Sequence, residues 1–375
     1  NGLFGQEDND NILIEMNKGI EIQKKLKHKF RLFSSLNNLS VLCGAMGVYE
    51  KVLEIGREQQ DLAEKLNNKR GMSGAYSNFA WYYSLIGNYE KMEEFTSKKM
   101  ELDKENNDRL GLSLCYYYIG MVAFLKGEND EALRAMSRSL EFAQDLNHST
   151  AIASRLFNLI LISLELNSET LVNSYMGMLQ ELDDTTNLLR VSTFTNLAQA
   201  LIHKSKSRAK DKTEAQKLLT QIIYGNLHQS IPFNFTLLAM LHLSELLLDE
   251  LRTYGNDEVL KEVDDLTRKI YEMAQERQLV YEIIHILILQ SKLAFLGLEL
   301  DKANKILQQA HLIAEERSLD NLLPTIESEE KKLEEEIGLA LEISKLATPM
   351  RERLEKSKIV NYLIEMQNLI NARNE

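Results

Sequence analysis

The sequence predicts an all-α chain, and three observations carry that reading. Only three prolines occur in 375 residues, below about 1% against an average near 5%, and 17 glycines are also few. A short mark recurs at intervals of 40 residues: Gly47-Val48-Tyr49-Glu50-Lys51, Gly87-Asn88-Tyr89-Glu90-Lys91 and Gly127-Glu128-Asn129-Asp130-Glu131, with a degenerate copy at Asn167-Ser168-Glu169. Each mark lies between two amphipathic helical patterns, such as 73–86 and 90–105 around Gly87. The glycine ends the first helix, where a left-handed residue is needed.

Side chains at fixed offsets support helix pairing. Seven residues before the marks stand Ser40, Ala80, Gly120 and Ile160, where two helices must approach closely. Five residues after them stand Val52, Met92, Ala132 and Val172. Going backwards, one period before Gly47 falls near Gly5-Gln6-Glu7, and 12–28 then reads as a second helix. The chain is therefore expected to begin inside a repeat, and with no initiator Met it reads as the C-terminal part of a longer polypeptide or a processed fragment. Going forwards, the spacing loosens. Lys210-Asp211-Lys212-Thr213-Glu214-Ala215 reads as a fifth turn and Tyr254-Gly255-Asn256-Asp257 as a sixth. Leu298-Glu299-Leu300-Asp301-Lys302-Ala303 reads as a seventh, followed by Ala310. The segment 325–345 is charged on one face, as a closing helix should be. A last helix is expected from Thr348 as N-cap with Pro349 in its first turn. Its apolar stripe is Met350, Leu354, Ile359, Leu363, Met366 and Ile370, which either caps the final repeat or docks a partner.

This pattern resembles the tetratricopeptide repeat, in a long-helix variety of about 40 residues rather than the 34-residue form. Gly127 with Ala132 matches the turn of that family best. The resemblance implies an α-solenoid, a right-handed superhelix of about seven antiparallel hairpins in which stacking builds one continuous core. The expected organisation is a truncated or degenerate repeat over 1–32, the array over 33–337, and C-terminal capping or docking helices over 338–375.

The sequence offers little that could catalyse a reaction. It contains none of the phosphate-loop, dinucleotide, zinc-protease or nucleophile-elbow motifs. Seven histidines (28, 148, 203, 228, 242, 285 and 311) are dispersed with no pair at i, i+3 or i+4, so no metal and no cofactor is expected. The net charge of −12 with mixed signs argues against a nucleic-acid surface. The apolar window 279–289 is short and interrupted by Glu282 and His285, which argues against a membrane span. Two distant cysteines, Cys43 and Cys115, fit a reducing compartment, so the chain is read as soluble and cytoplasmic. The basic stretch 203–212 is expected to be a solvated loop at the fifth turn.

One row of side chains suggests a binding surface. Nine residues before the marks lie Asn38, Asn78, Tyr118 and Asn158, and Asn196 continues the row. The family resemblance places this row on the concave surface, where asparagine pairs with the backbone of an extended peptide; an amide supplies both donors and an acceptor for that task. Trp81, Tyr117 and Phe157, with Phe124, would supply apolar pockets. The competing reading is that the amides cross-link helices and the aromatics are core. Consecutive tyrosines 116, 117 and 118 cannot all face one way. The function expected is a non-catalytic module that holds a protein or peptide ligand in the concave groove, with the oligomeric state open. The alternatives are the sensor half of a larger signalling ATPase, or a scaffold subunit.

Overall fold

The computed structural model describes the chain except residues 1–5, 26–28, 46–47, 226–232, 256, 278, 318, 320–321, 344–348 and 373–375. Among the described residues every regular element is an α-helix and none is a strand. After α1 (Gln6–Lys25) come seven helix pairs. The first three are α2 (Lys29–Ala45) with α3 (Tyr49–Lys65), α4 (Lys69–Leu85) with α5 (Tyr89–Asn106), and α6 (Arg109–Leu125) with α7 (Asn129–Asp145). Next are α8 (Ser149–Glu165) with α9 (Glu169–Thr186), and α10 (Leu189–Lys204) with α11 (Ala209–Tyr224). The last two are α12 (Phe233–Tyr254) with α13 (Asp257–Glu276), and α14 (Val280–Leu296) with α15 (Leu300–Glu316). The chain closes with α16 (Leu323–Ile343), α17 (Met350–Ser357) and α18 (Ile359–Ala372). It is an all-α solenoid.

The chain forms two compact units, residues 1–236 with 369–375, and residues 237–368. In the first unit consecutive helices pack in succession, and first helices also touch across hairpins, α2 with α4 and α8 with α10. Both helix rows keep a strict period there. First helices start at 29, 69, 109, 149 and 189, and second helices at 49, 89, 129 and 169.

A left-handed residue at each of the seven turns from α3 to α10 maintains this period, whereas the turn at 205–208 has none. Between first and second helices the left-handed residues are Gly87 (φ 72°), Gly127 (φ 76°) and Asn167 (φ 52°). Between second and first helices they are Asn67, Asn107, Asn147 and Asn187, all with φ between 48° and 52°. Asparagine is the non-glycine residue that visits this region with least penalty. In the Schellman arrangement the next amide reaches back five residues. Asn88 N–H donates to the Tyr83 carbonyl (2.8 Å) and Asp108 N–H to that of Asp103 (2.9 Å). The residue after Asn67, Asn107 and Asn147 then caps the coming helix, while Leu188 after Asn187 has no side chain to do so. Asn68 accepts from Gly71 N–H and Asp108 from Gly111 N–H, both at 2.9 Å, and His148 Nδ1 from Ala151 N–H at 3.2 Å. Turn, stop and start signals thus occupy two adjacent residues.

Several details differ from the sequence reading. The fifth turn is 205–208 rather than 210–215, because α11 already begins at Ala209. The basic stretch 203–212 is therefore mostly helical, and His203 Nδ1 lies 3.0 Å from Asp211 Oδ1 across the turn. At the seventh turn the positive φ falls on Leu298 (61°), while Gly297 is right-handed with φ −75°. Helix α2 begins at Lys29 and α16 runs to Ile343. The last helix is two helices, broken at Lys358 (φ 49°) and preceded by Pro349 as the N-cap residue. The break has a cause legible in the stripe. Leu354 to Ile359 is a step of five, which a continuous helix would rotate off the apolar face. All six stripe residues are buried. Gly47, Asn256 and Thr348 lie outside the described residues.

In the second unit α14 is enclosed on all sides. Tyr281, Ile284, Leu287, Ile288 and Leu296 are buried around its whole circumference. The C-terminal helices bind it through side chains: Tyr362 OH lies 2.8 Å from His285 Nδ1, and Lys292 Nζ donates to the Ser357 carbonyl at 3.2 Å. Gln367 Nε2 donates to Glu245 Oε2 of α12 at 2.9 Å.

The left-handed backbone at Asn107 predicts unequal outcomes for two substitutions there. Asn107→Ala should lower the unfolding free energy by about 1–2 kcal/mol through left-handed strain, whereas Asn107→Gly should stay within about 0.5 kcal/mol of wild type. Chemical denaturation of the two variants checks this; equal losses would locate the effect in the amide side chain instead.

Candidate functional site

The period of the first helices fixes which residues are equivalent. Asn38, Asn78, Tyr118 and Asn158 occupy one place, and the next residue in that place is Ala198, not Asn196, since α10 starts 40 residues after α8. Asn196 stands two positions earlier on the exposed side of its helix. The predicted row is thus four residues in register and one outside it.

Those four are not presented alike. Asn38 is exposed. Asn78 is buried, and its Nδ2 donates to Gln59 Oε1 of α3 at 2.7 Å. Asn158 is buried and donates to the Ser154 carbonyl of its own helix at 2.8 Å. Tyr118 is buried and borders a cavity of about 150 Å³ with Thr96 and Lys126. Of the aromatic residues, Tyr117 and Phe157 belong to the core. The Arg155 guanidinium lies 4.4 Å from the Tyr117 ring centroid. Phe157 leads into a run with Phe194 (5.4 Å) and Phe235 (4.7 Å from Phe194, edge to face). Phe124 and Trp81 are half-buried. The Trp81 indole covers Gly44 of α2, where an added Cβ would lie 2.3 Å from the ring.

A physical reason links these placements. Asn78 turns toward Gln59 of α3 and Tyr118 toward Thr96 of α5, the second helices of the preceding hairpins, and from α4 onward the ladder place is buried. Asn38 stays exposed on α2, beside Val41 at 60% exposure. The open part of the first-helix surface therefore lies on α2 and α4, where Asn37, Ser77 and Trp81 are half-buried and Asn38 and Val41 exposed. On α6, α8 and α10 the places equivalent to Asn37 and Ser77 hold Tyr117, Phe157 and Leu197, all buried.

A second polar row, on the second helices, escaped the sequence reading. Gln59, Lys99 and Ser139 are equivalent residues 40 apart, all buried, and Leu179 continues the place. Gln59 and Ser139 each join their own first helix to the next, and Lys99 does so through Asp103. Gln59 accepts from Asn78 and donates from Nε2 to Asn37 Oδ1 at 3.1 Å. Lys99 Nζ donates to Asp103 Oδ2 at 2.6 Å and to Ser73 Oγ at 3.2 Å. Ser73 Oγ also donates to Asp103, and Cys115 Sγ of α6 contacts the same carboxylate. Ser139 Oγ donates to the Ser113 carbonyl at 2.7 Å and accepts from Arg155 Nε at 3.1 Å. The available signal was polarity at a 40-residue interval on otherwise apolar faces.

Both thiols are inert in this setting. Burial pushes Cys43 up to about 11, and burial together with the Asp103 carboxylate outweighs Lys99 to push Cys115 up to about 12. Among the described residues no group of three His, Cys, Asp or Glu could hold a metal. No described helix is long and apolar enough to cross a membrane.

No protein-family model matches the sequence, and no curated protein matches it. Among solved structures, the chain is similar to a signal transduction ATPase with numerous domains, carrying a tetratricopeptide repeat sensor, from Pyrococcus horikoshii. The identity is 16% over 85% of this chain and 49% of that one, with a TM-score of 0.45, so the chain spans about half that protein's length. A circular tandem repeat protein with novel repeat topology is 13% identical over 96% of this chain and 90% of that one, with a TM-score of 0.22. Both scores lie below 0.5, so the assignment as a helical-repeat protein rests on the chain's own period and hairpins.

Two outcomes follow from the buried polar groups. Asp103→Ala should cost about 3–5 kcal/mol by leaving the Lys99 ammonium buried without its partner, while Lys99→Met with Asp103→Leu should recover most of that loss. Denaturation curves of the single and double variants decide it. Iodoacetamide at pH 8 should leave the native protein unmodified and add two groups in denaturant, as read by intact mass; native labelling of Cys43 would show that the α2 region opens.

Proposed function

We propose that the chain is a non-catalytic interaction module of the tetratricopeptide kind, and that a protein or peptide segment docks on the first-helix surface of α2 and α4. The observation behind this reading is the contrast along the array. Large apolar residues fill the inward places of α6, α8 and α10, whereas Asn37, Asn38, Val41, Ser77 and Trp81 leave amides, a hydroxyl and an indole accessible on α2 and α4. Tryptophan beside adaptable amide donors and acceptors is the mixture that interface hot spots favour. Asn78 joins the ligand-binding row only where a ligand amide replaces Gln59 as its partner. Tyr118, Asn158, Tyr117 and Phe157 then act from behind, by holding the first helices in place, and Asn196 lies on a separate surface.

Peptides selected from a displayed library against the whole chain test this. Affinity should fall at least tenfold, about 1.4 kcal/mol, in Asn38→Ala combined with Val41→Asp. It should hold within about twofold in the control Leu312→Asp, on an exposed residue of α15. Selected peptides that bind the double variant as tightly as wild type would remove the α2–α4 surface from the proposal.

A further inference from the structure

The second unit contains a cavity of about 200 Å³ between α14, α15, α16 and the junction of α17 with α18. One side is apolar, formed by Ile288, Phe295, Leu307 and Leu333. The other side carries Lys292, Lys332, Lys356 and Lys358 against Glu329. In a chain of net charge −12, this is a local inversion of sign. Adding Glu352, bonded to Lys356 at 2.9 Å, still leaves four ammonium groups against two carboxylates.

The lysines fall into two sets. Lys292 is buried at the floor, and its Nζ is held by Glu329 and by the Ser357 carbonyl at 3.2 Å. Lys332 donates to the other Glu329 oxygen at 2.7 Å. These contacts tie α14, α16 and α17 together and account for the floor. Lys356 and Lys358 are exposed at the mouth and contribute nothing to that tie. Lys358 also has φ 49°, a conformation held elsewhere among the described residues by glycine or asparagine and by Leu298 alone. A lysine there is retained at a cost in backbone strain. Helix α18 starts at the next residue, so the positive end of its backbone dipole adds to the same side.

We propose that this cavity binds a small amphiphilic anion, a carboxylate or phosphate head on a short hydrocarbon body. The head sits among the mouth lysines and the body lies against Ile288, Phe295, Leu307 and Leu333. A volume of about 200 Å³ lies below the roughly 300–1,000 Å³ usual for drug-sized ligands, which limits the body to a few carbons. The ligand would join α14 and α16 to the C-terminal helices. This site is independent of the α2–α4 surface, so the two readings fail separately.

Calorimetric titration of the whole chain with hexanoate, hexyl phosphate, hexanol and inorganic phosphate tests the assignment. At least one of the two hexyl anions should bind one per chain, and the tighter of them names the head group. Hexanol, lacking charge, and phosphate, lacking a body, should each bind at least tenfold more weakly. Lys356→Gln with Lys358→Gly removes two exposed charges and relieves the left-handed strain, so the variant should melt no lower than wild type yet bind at least tenfold more weakly. Absence of saturable binding, equal affinity for hexanol or phosphate, or unchanged affinity in the variant would each overturn the proposal.

Discussion

The structure depends on one backbone constraint: the chain must enter the left-handed region at each of the seven turns from α3 to α10 and return at once to a helix. A helix that stops one residue late rotates its apolar face by about 100°, and the next hairpin could not stack. Glycine meets the constraint after first helices and asparagine after second helices, with Asn167 as the exception that shows the two to be interchangeable. The Schellman bonds and the caps that follow leave few helix-end amides or carbonyls without partners.

The glycine half of this device was legible in the sequence, and it was enough to give the period and the hairpin count. The asparagine half was not. Asn67, Asn107, Asn147 and Asn187 are as regular as the glycines, but asparagine is common in loops and a competing row at Asn38, Asn78 and Asn158 drew the functional reading. Residue type alone could not separate these rows. An amide in the left-handed region is a backbone device, one on a first helix can be groove or joint, and only the packed neighbours tell which. Asn78 meets Gln59, and Gln59 lies on a helix whose polar residues look from sequence like ordinary solvated positions. The later array was less legible because its period drifts: Ala215 kept the expected offset while the turn itself moved upstream to 205–208.

The buried polar row explains how near-identical hairpins remain distinct. The shared place is an amide in α3, an ammonium in α5, a hydroxyl in α7 and a leucine in α9. Each has complementary groups on its own neighbours: Asn37 and Asn78, Ser73 and Asp103, Ser113 and Arg155. A buried ion pair adds little to stability compared with well-packed apolar residues, yet breaking one is costly. What the row contributes is discrimination between alternatives rather than depth of the minimum.

That discrimination matters most while the chain is being made. Hairpins emerge from synthesis one after another, and an unfinished array offers each newcomer several similar docking faces. With leucine in every such place, any hairpin could settle on any other, within one molecule or between two. With a different polar lock at each joint, α5 seated against the face meant for α7 would trap the Lys99 ammonium away from Asp103 and water, and the mistake would dissolve. A row of this kind can serve as a serial number for assembly, written on faces that the finished array buries.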